Sequence, residues 1–218
     1  MKVLVTGTSD GIGRAIAQKF LDLNHIVIGF DIEPPTISSN NFTHYTTDVS
    51  KLENLPELSG INIVINNAGV QNKNDIEVNL LGTINVTEKY AINNNKIKSV
   101  VNIASASAHS GAEFPYYAAS KGGVLAYTKN VASRIAELGA TCNSISPGGV
   151  ITAMNNCIIK SPELTNKVLK ETLLNKWATA EEIADWVYFI SVINISMTAQ
   201  DILIDNGEMA KSNFIWEE

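Results

Sequence analysis

Near its start the sequence reads Val3-Leu4-Val5-Thr6-Gly7-Thr8-Ser9-Asp10-Gly11-Ile12-Gly13. The apolar residues before Gly7 are typical of a buried strand, and Ile12, Ile16 and Phe20 are four apart, as on one side of a helix. Glycines at such a strand-to-helix turn let the backbone approach a phosphate group, which the first N–H groups of the helix can bind. We therefore predict a dinucleotide-binding turn made of Gly7, Thr8, Ser9, Asp10, Gly11, Ile12 and Gly13.

The spacing of these glycines leaves an alternative open, because it is G-x-x-x-G-x-G and not G-x-G-x-x-G. The same residues also suit a glycine turn that binds no ligand. Asp31 favours the dinucleotide, since it ends the next predicted strand, where a carboxylate accepts hydrogen bonds from ribose hydroxyls. A carboxylate there repels a 2′-phosphate, and neither Ile32 nor Glu33 adds a cation. The sequence favours NAD(H) over NADP(H), with a solvated loop carboxylate as the alternative for Asp31.

The rest of the chain alternates short apolar runs with longer helical patterns. Helical patterns cover about residues 115–138 and 180–191, and Thr179 is the expected N-cap of the second. Because several strand candidates are nearly continuous in Val, Ile and Leu, they suit strands that are buried on both faces. This alternation predicts an α/β fold with a doubly wound parallel sheet and helices on both faces. The strand candidates are residues 2–6, 26–30, 43–47, 62–66, 99–103, 141–145 and 200–204.

Length and composition limit the possible functions. The chain has 218 residues, of which 45% are hydrophobic and 17% charged, which suits one domain. With 16 Lys and Arg against 22 Asp and Glu, its net charge of −6 disfavours binding to nucleic acid or to an anionic membrane. No apolar run approaches the ~18 residues of a membrane span, and Cys142 and Cys157 form no disulfide framework. A cytoplasmic protein is therefore expected.

Tyr117 and Lys121 indicate the chemistry. They lie four residues apart at the start of a predicted helix, so both side chains project from one face. A nearby ammonium lowers the pKa of a phenol, which can then exchange a proton with a substrate oxygen. Ser105 follows the strand candidate at 99–103, at the edge of the sheet where ligands bind, and its hydroxyl can donate to the same oxygen. A tyrosine–lysine pair alone is common on helix surfaces, so the interpretation depends on this context.

Three further motifs complete a pattern. Asn67-Ala68-Gly69 follows a strand, Asn79 lies in a helical stretch, and Pro147-Gly148 precedes Val150 and Thr152. With the glycine turn, Asp48-Val49, Ser105 and the Tyr117–Lys121 pair, the chain resembles the core, single-domain branch of the short-chain dehydrogenases/reductases over residues 2–207. The resemblance implies a Rossmann-like sheet of about seven strands in the order 3-2-1-4-5-6-7, within one domain over residues 1–218.

The resemblance also implies a role for each matching residue. Tyr117 would be the general acid/base, and Lys121 would hold the nicotinamide ribose and lower the pKa of the tyrosine. Ser105 would orient the substrate carbonyl, with Ser107 as the alternative, and Asn79 would support a proton-relay water. Further cofactor contacts are implied for Asp48, Val49, Asn67, Ala68, Gly69, Pro147, Gly148, Val150 and Thr152.

The activity implied is NAD(H)-dependent interconversion of a carbonyl and a secondary alcohol by hydride transfer, on a small-molecule substrate. The pattern is most similar to 3-oxoacyl-(acyl-carrier-protein) reductases, and polyol, sugar and steroid substrates remain open. A non-catalytic NAD-binding regulatory protein is the alternative from another class, against which the intact catalytic residues argue. A nucleotide-sugar epimerase is disfavoured, because those enzymes tend to be longer and to have another glycine spacing. No metal site is predicted, because the histidines show no ligand spacing.

Some details depart from the family pattern. The intervals from Asp48 to Asn66 and from Gly69 to Asn79 are short, which predicts a reduced helix between the third and fourth strands. A homodimer or homotetramer is expected. Residues 153–177 correspond to the substrate lid, whose apolar side chains predict either a helix packed on the core or a cover over the substrate. His109 and Cys157 are candidates for substrate contact, against a solvent-exposed histidine and an ordinary thiol.

Overall fold

Strands and helices alternate through the computed structural model, which describes residues 1–71, 74–112 and 114–211. The described strands are β1 Lys2–Thr6, β2 Ile26–Asp31, β3 Phe42–Thr46, β4 Ile63–Asn66, β5 Ser99–Ile103, β6 Thr141–Pro147, β7 Val150–Ile151, β8 Ala178–Thr179 and β9 Asp201–Ile204. The described α-helices are α1 Gly11–Asp22, α2 Gly82–Tyr90, α3 Ser107–Ser110, α4 Pro115–Ile135, α5 Asn156–Ile159, α6 Pro162–Lys170 and α7 Ala180–Tyr188.

The main sheet has seven parallel strands in the order β3-β2-β1-β4-β5-β6-β9. This order confirms the predicted doubly wound, Rossmann-like sheet, with β9 as its seventh strand. Two short strands that the sequence analysis did not predict, β7 and β8, pair with each other outside the main sheet. The order reverses direction between β1 and β4, and a ligand site is expected at the carboxyl ends of strands around such a reversal.

Alternating side chains of the central strands build a core on each face of the sheet. Val3 and Val5 pack on the side of α1 and α7, whereas Leu4 packs on the side of α2 and α4. Val64 and Val100 likewise face the second side. Because successive side chains of a strand point to opposite faces, a run of aliphatic residues satisfies both cores at once. The sheet is therefore covered on both sides and its carboxyl edge is held in place.

The shortened region after β3 has little helix. A single 3₁₀ turn, Leu52–Asn54, is the only helical segment described between β3 and β4, as the short interval predicts. A π-helical segment, Ile76–Leu81, leads directly into α2. A π-helical segment within a longer helix is frequent at functional sites. None of the helices in the described ranges is long and apolar enough to cross a membrane.

Two helix ends can be compared with the sequence signals, and one of them differs. Thr179 caps α7, since its hydroxyl accepts from the Glu182 N–H while the Glu182 carboxylate accepts from the Thr179 N–H. The helical pattern predicted to residue 138 ends as α4 at Ile135, and a 3₁₀ turn covers Ala136–Leu138. Helix ends commonly tighten in this way. These differences leave the positions of the site residues unchanged.

His25 gives the fold a pH-dependent contribution to stability. It is buried, its ring centroid lies 5.4 Å from that of Phe20 and 6.0 Å from that of Tyr188, and no partner for Nδ1 exists among the described residues. Burial, followed by the positive N-terminal amino group, lowers the pKa of His25. The unfolded chain therefore binds more protons than the folded one as pH falls past the unfolded pKa of about 6.5.

We accordingly expect the free energy of unfolding to decrease between about pH 7 and pH 5, and His25→Phe to reduce that decrease. Phenylalanine retains the ring contacts but does not titrate. Urea denaturation at several pH values gives the free energy of unfolding of both proteins. The difference between the two proteins isolates the contribution of His25, because their other titratable groups are the same. An equal loss of stability in the two proteins would contradict the role of His25.

Candidate active site

One cavity of about 550 Å³ lies at the carboxyl ends of the central strands. One end is lined by Asp31 and Asp48 and the other by Ser105 and Tyr117. Between them the glycine turn after β1 forms one wall and Lys121 projects from α4. The cavity thus connects the two groups of residues that the sequence analysis selected separately.

The glycine turn has the shape that a phosphate site requires. Gly7 has φ of +75°, and a Cβ there would lie 2.7 Å from Asn67 Nδ2, while a Cβ on Gly13 would overlap the Gly7 carbonyl oxygen. Larger residues are therefore excluded from both positions. Asp10 is the N-cap of α1, and its side chain makes no capping hydrogen bond. The first N–H groups of α1 remain available to an anion at the cavity wall, where Gly11 and Ile12 lie.

The carboxylate of Asp31 is fixed by the turn. Its Oδ2 accepts from the Ser9 N–H at 2.8 Å and its Oδ1 from the Glu33 N–H at 2.9 Å. Asp48 is oriented in a similar way, because its Oδ1 accepts from the N–H and the hydroxyl of Ser50. With Asp10 and Glu33 on the same lining, this end of the cavity is acidic. No lysine or arginine lines this end in the described part of the chain.

Asn67 fixes the floor of the cavity. Its backbone N–H donates to the Thr6 hydroxyl at 2.9 Å, and its side-chain Nδ2 donates to the Thr6 carbonyl at 3.0 Å. The Ala68 N–H donates to the same hydroxyl at 2.9 Å. These bonds join the end of β4 to the end of β1, so Ala68 and Gly69 line the cavity opposite the glycine turn.

Tyr117, Ser105 and Lys121 meet at the other end. Burial raises the pKa of Tyr117, a hydrogen bond with the Ser105 hydroxyl opposes that shift, and the charge of Asp75 adds to it. Lys121 is buried, donates from Nζ to the Ile103 carbonyl at 2.8 Å, and lies 5.7 Å from the centroid of the Tyr117 ring. Burial lowers the pKa of Lys121 to about 8, against a smaller opposing effect of Asp75. Lys121 is not among the causes of the Tyr117 shift, so the expected lowering of the Tyr117 pKa by Lys121 stays a prediction.

Asn79 lies behind the cavity wall. Its Nδ2 donates to the Val70 carbonyl at 2.9 Å and to the Ser120 hydroxyl at 3.1 Å, and its Oδ1 accepts from the Val70 N–H at 2.8 Å. These bonds tie the segment after Gly69 to α4, between Tyr117 and Lys121. The contacts make Asn79 a positioning residue in this structure, and its role in a proton relay stays a prediction.

Comparisons with known proteins agree with this geometry. A family model described as enoyl-(acyl carrier protein) reductase matches residues 7–208. The chain belongs to the short-chain dehydrogenase/reductase family. The members of this family are oxidoreductases that act on CH–OH and C=O groups, and they use a Rossmann-fold nucleotide site. The resemblance inferred from the motifs is thereby confirmed.

The relatives of this short-chain dehydrogenase/reductase are named for different substrates. It is 28% identical to a D-beta-hydroxybutyrate dehydrogenase of Rhizobium meliloti, over 95% of this chain and 98% of that protein. It is 25% identical to a 3-oxoacyl-[acyl-carrier-protein] reductase of Aquifex aeolicus, over 94% and 96%. Among solved structures, a 4-hydroxyisoleucine dehydrogenase mutant complexed with NADH and succinate is 25% identical with a TM-score of 0.86, covering 98% of this chain and 100% of that one.

Most of the residues singled out from the sequence line the cavity. The exceptions are Asn79 and three residues of the glycine turn, Thr8, Ser9 and Gly13, which are buried behind its surface. Ser9 still takes part, since its N–H holds Asp31. The lining residues among those predicted are Gly7, Asp10, Gly11, Ile12, Asp31, Asp48, Val49, Asn67, Ala68, Gly69, Ser105, Tyr117, Lys121, Pro147, Gly148, Val150 and Thr152.

Two kinds of site residue were not expected from the sequence. Phe30 and Thr47 line the cavity, and each is the last residue of a strand that the sequence predicts. The predicted strand ends could therefore have indicated both residues. Asp75 is buried and acts electrostatically on both Tyr117 and Lys121. It is the N-cap residue of the π-helical segment, one turn before Asn79. It belongs to none of the motifs recognised in the sequence.

The structure also shows where Ser107, His109 and Cys157, the other candidates for substrate contact, lie. Ser107 does not line the cavity, and its N–H donates to the Ser105 hydroxyl at 3.2 Å, so the geometry favours Ser105 as the residue facing a substrate. His109 does not line the cavity either, and its Nε2 lies 2.7 Å from Asp201 Oδ2. Cys157 is an exposed thiol in α5 and is not part of the lining. These positions give no support to substrate contact by His109 or Cys157.

The segment predicted as a lid is only partly buried. Residues 153–177 contain a 3₁₀ turn, α5 and α6, and neither helix buries any of its residues. Leu173 and Leu174 are 56% and 66% exposed. Met154 and Asn155 are the residues of this segment that line the cavity. Ile158, Ile159, Val168 and Leu169 are half-buried, so the segment is partly packed. Packing on the core and a cover over the substrate both stay predictions for this segment.

Proposed function

We propose that the protein is an NAD(H)-dependent oxidoreductase that interconverts a carbonyl and a secondary alcohol, with Tyr117 as the general acid/base. The observation that carries this proposal is the meeting of Tyr117, Ser105 and Lys121 at one end of a cavity whose other end is formed by Asp31. A dinucleotide is long enough to reach both ends of such a site, and the site lies where doubly wound sheets bind their ligands.

The residues present fit a bound nicotinamide dinucleotide. The uncapped N-terminus of α1 and the close approach permitted by Gly7 and Gly13 suit a diphosphate. Asp31 would accept from the adenosine ribose hydroxyls, and the acidic lining around it would repel a 2′-phosphate. Val150 and Thr152 would contact the carboxamide. This charge pattern supports NAD(H) over NADP(H).

The chain's own residues handle the proton and orient the substrate. The bound cofactor supplies or accepts the hydride. In reduction the Tyr117 Oη gives its proton to the carbonyl oxygen, and in oxidation the phenolate removes the proton of the alcohol. The Ser105 hydroxyl donates to the same oxygen and stabilises the charge that develops there. The Lys121 ammonium would bind the ribose next to Tyr117. The raised pKa of Tyr117 keeps the phenol protonated, which suits the direction of reduction.

A substrate panel tests this proposal. NADH and NADPH absorbance is followed with a 3-oxoacyl thioester, a 2-enoyl thioester, acetoacetate, an aldose and a cyclic ketone, and with NAD and the corresponding alcohols. We expect turnover of at least one carbonyl–alcohol pair with NADH preferred. NADH binding without turnover of any pair would favour the non-catalytic NAD-binding protein. A 3-oxoacyl thioester is the first choice, because the family model and one relative are named for acyl-carrier-protein substrates.

A further inference from the structure

A polar cluster outside the cavity joins α3 to the edge strand of the sheet. His109 Nε2 lies 2.7 Å from Asp201 Oδ2 and 3.3 Å from the Ser146 hydroxyl. The hydroxyls of Ser144 and Ser146 donate to Asp201 Oδ1 at 2.6 and 2.9 Å. The Asp201 side chain is only 15% exposed, so its carboxylate is held by three partners at the start of β9. The cluster therefore has a defined geometry.

The chemistry of these groups determines where the proton is. A carboxylate only accepts hydrogen bonds, so Nε2 of His109 carries the proton and donates it to Asp201. Ser146 already donates to Asp201, so its oxygen can only accept from His109. Ser146 is fully buried, and it contacts the same ring nitrogen as the carboxylate. The arrangement is unlike a nucleophile–histidine–acid triad, in which the two partners contact different ring nitrogens.

The position of α3 affects the Ser105 hydroxyl. α3 is a single turn with no fully buried residue, and it contacts α4. Its entry is held to the sheet by the Ala106 N–H, which donates to the Pro147 carbonyl at 2.8 Å, and its far end by the His109 ring, which bonds to Asp201. The N–H of Ser107, its first residue, donates to the Ser105 hydroxyl oxygen at 3.2 Å. With this oxygen engaged, the Ser105 proton remains available for the Tyr117 phenol or a substrate oxygen. A displacement of α3 would move the Ser107 N–H and release the Ser105 hydroxyl.

We propose that His109 and Asp201 are positioning residues for Ser105, because their hydrogen bond fixes α3 and thereby the Ser107 N–H that orients the Ser105 hydroxyl. The chain of contacts runs from Asp201 to His109, through one helical turn to Ser107, and from there to Ser105 and Tyr117. The inference rests on the proposed function, in which Ser105 and Tyr117 bind the substrate oxygen. It adds two residues that do not line the cavity.

The test compares His109→Ala, His109→Gln and Asp201→Asn with the parent protein. We expect His109→Ala to lower kcat about tenfold, the scale of one charge-assisted hydrogen bond, for the best substrate of the panel. The dissociation constant for NADH, from fluorescence titration, stays unchanged, since the cluster is distant from the glycine turn. His109→Gln restores kcat to within about twofold, because its amide donates from nearly the same place. Combining His109→Ala with Asp201→Asn causes no further loss, as expected for a coupled pair.

A second readout does not depend on turnover. The phenol of Tyr117 is titrated by its ultraviolet phenolate absorbance, as the difference between each variant and the same variant with Tyr117→Phe. Loss of the Ser105 hydrogen bond raises the midpoint in His109→Ala, while Asp75 and Lys121, the charged groups that face Tyr117, are unchanged. Ser110→Ala is the matched control, because it removes a solvent-facing hydrogen bond of α3 to Ala112 and leaves both readouts as in the parent.

The outcomes separate the two proposals. An unchanged kcat and an unchanged Tyr117 titration in His109→Ala overturn the role of the pair and leave the proposed function standing. If the parent turns over no substrate, the proposed function is overturned, and the titration alone decides whether His109 positions Ser105. A loss in His109→Ala that His109→Gln does not restore also overturns the proposal. Thermal unfolding of every variant identifies any that lose activity through global destabilisation.

Discussion

We expect Tyr117→Phe to lower kcat by about 10²–10⁴-fold, the contribution typical of a positioned general acid or base. The substitution removes one oxygen and with it the proton that the substrate oxygen receives. The aromatic ring remains and continues to pack beside Lys121, whose Nζ lies 5.7 Å from the ring centroid. Binding of NADH should therefore be retained. Steady-state NADH absorbance gives kcat, and NADH fluorescence gives the dissociation constant.

Tyr116→Phe is the matched control for this prediction. Tyr116 is adjacent in α4, is 72% exposed and does not line the cavity. Loss of its hydroxyl should leave kcat unchanged. A Tyr117→Phe protein that retained most of its turnover, or a Tyr116→Phe protein that lost as much, would show that the acid/base group lies elsewhere.

Replacement of Asp31 should change the choice of cofactor. We expect Asp31→Ala to shift the ratio of kcat/KM for NADH and NADPH by roughly 10- to 100-fold toward NADPH, since one tenfold step corresponds to about 1.4 kcal/mol. Two effects act together, because the variant loses an acceptor for the ribose hydroxyls and a charge that repels a 2′-phosphate. Kinetics with each cofactor at saturating substrate measure the ratio.

Asp31→Asn separates the charge from the shape of the turn. The Asp31 carboxylate accepts from the N–H groups of Ser9 and Glu33, so alanine also releases part of the glycine turn. Asparagine retains an acceptor oxygen but carries no charge, and it should relax the preference with a smaller loss of NADH affinity. Asp22→Ala, an exposed acidic residue at the end of α1, controls for net charge. A cofactor preference that survives both substitutions at Asp31 would refute the role assigned to it.

The sequence predicts the architecture well because its signals are local. The seven strands of the main sheet were recognisable from short runs, whereas the two-residue strands β7 and β8 were not. The strand order was implied by the family resemblance that the motifs carry. Ser105, Tyr117 and Lys121 could be assigned to one site because parallel strands end at the same edge. Thr179 was equally predictable as the N-cap of α7, and the structure adds that Glu182 completes a capping box with it.

The remaining features depend on contacts between distant parts of the chain. His109 and Asp201 are 92 positions apart, and no local pattern indicates that they meet. The burial of Asp75 depends on how the π-helical segment packs against α4, which is distant from it in the sequence. Burial raises the pKa of Tyr117, and this effect depends on how the chain packs around the phenol, which the spacing of Tyr117 and Lys121 does not indicate. The extent to which α6 is buried likewise depends on the path of the chain, because its amphipathic pattern does not indicate what it packs against.

The partial burial of residues 153–177 has a kinetic consequence. Because no residue of α5 or α6 is fully buried, displacing these helices breaks less apolar packing than displacing a core helix does. We therefore expect this segment to move quickly compared with the elements of the sheet. The residence times of substrate and nucleotide would then depend on the direct contacts that each one makes on the cavity wall.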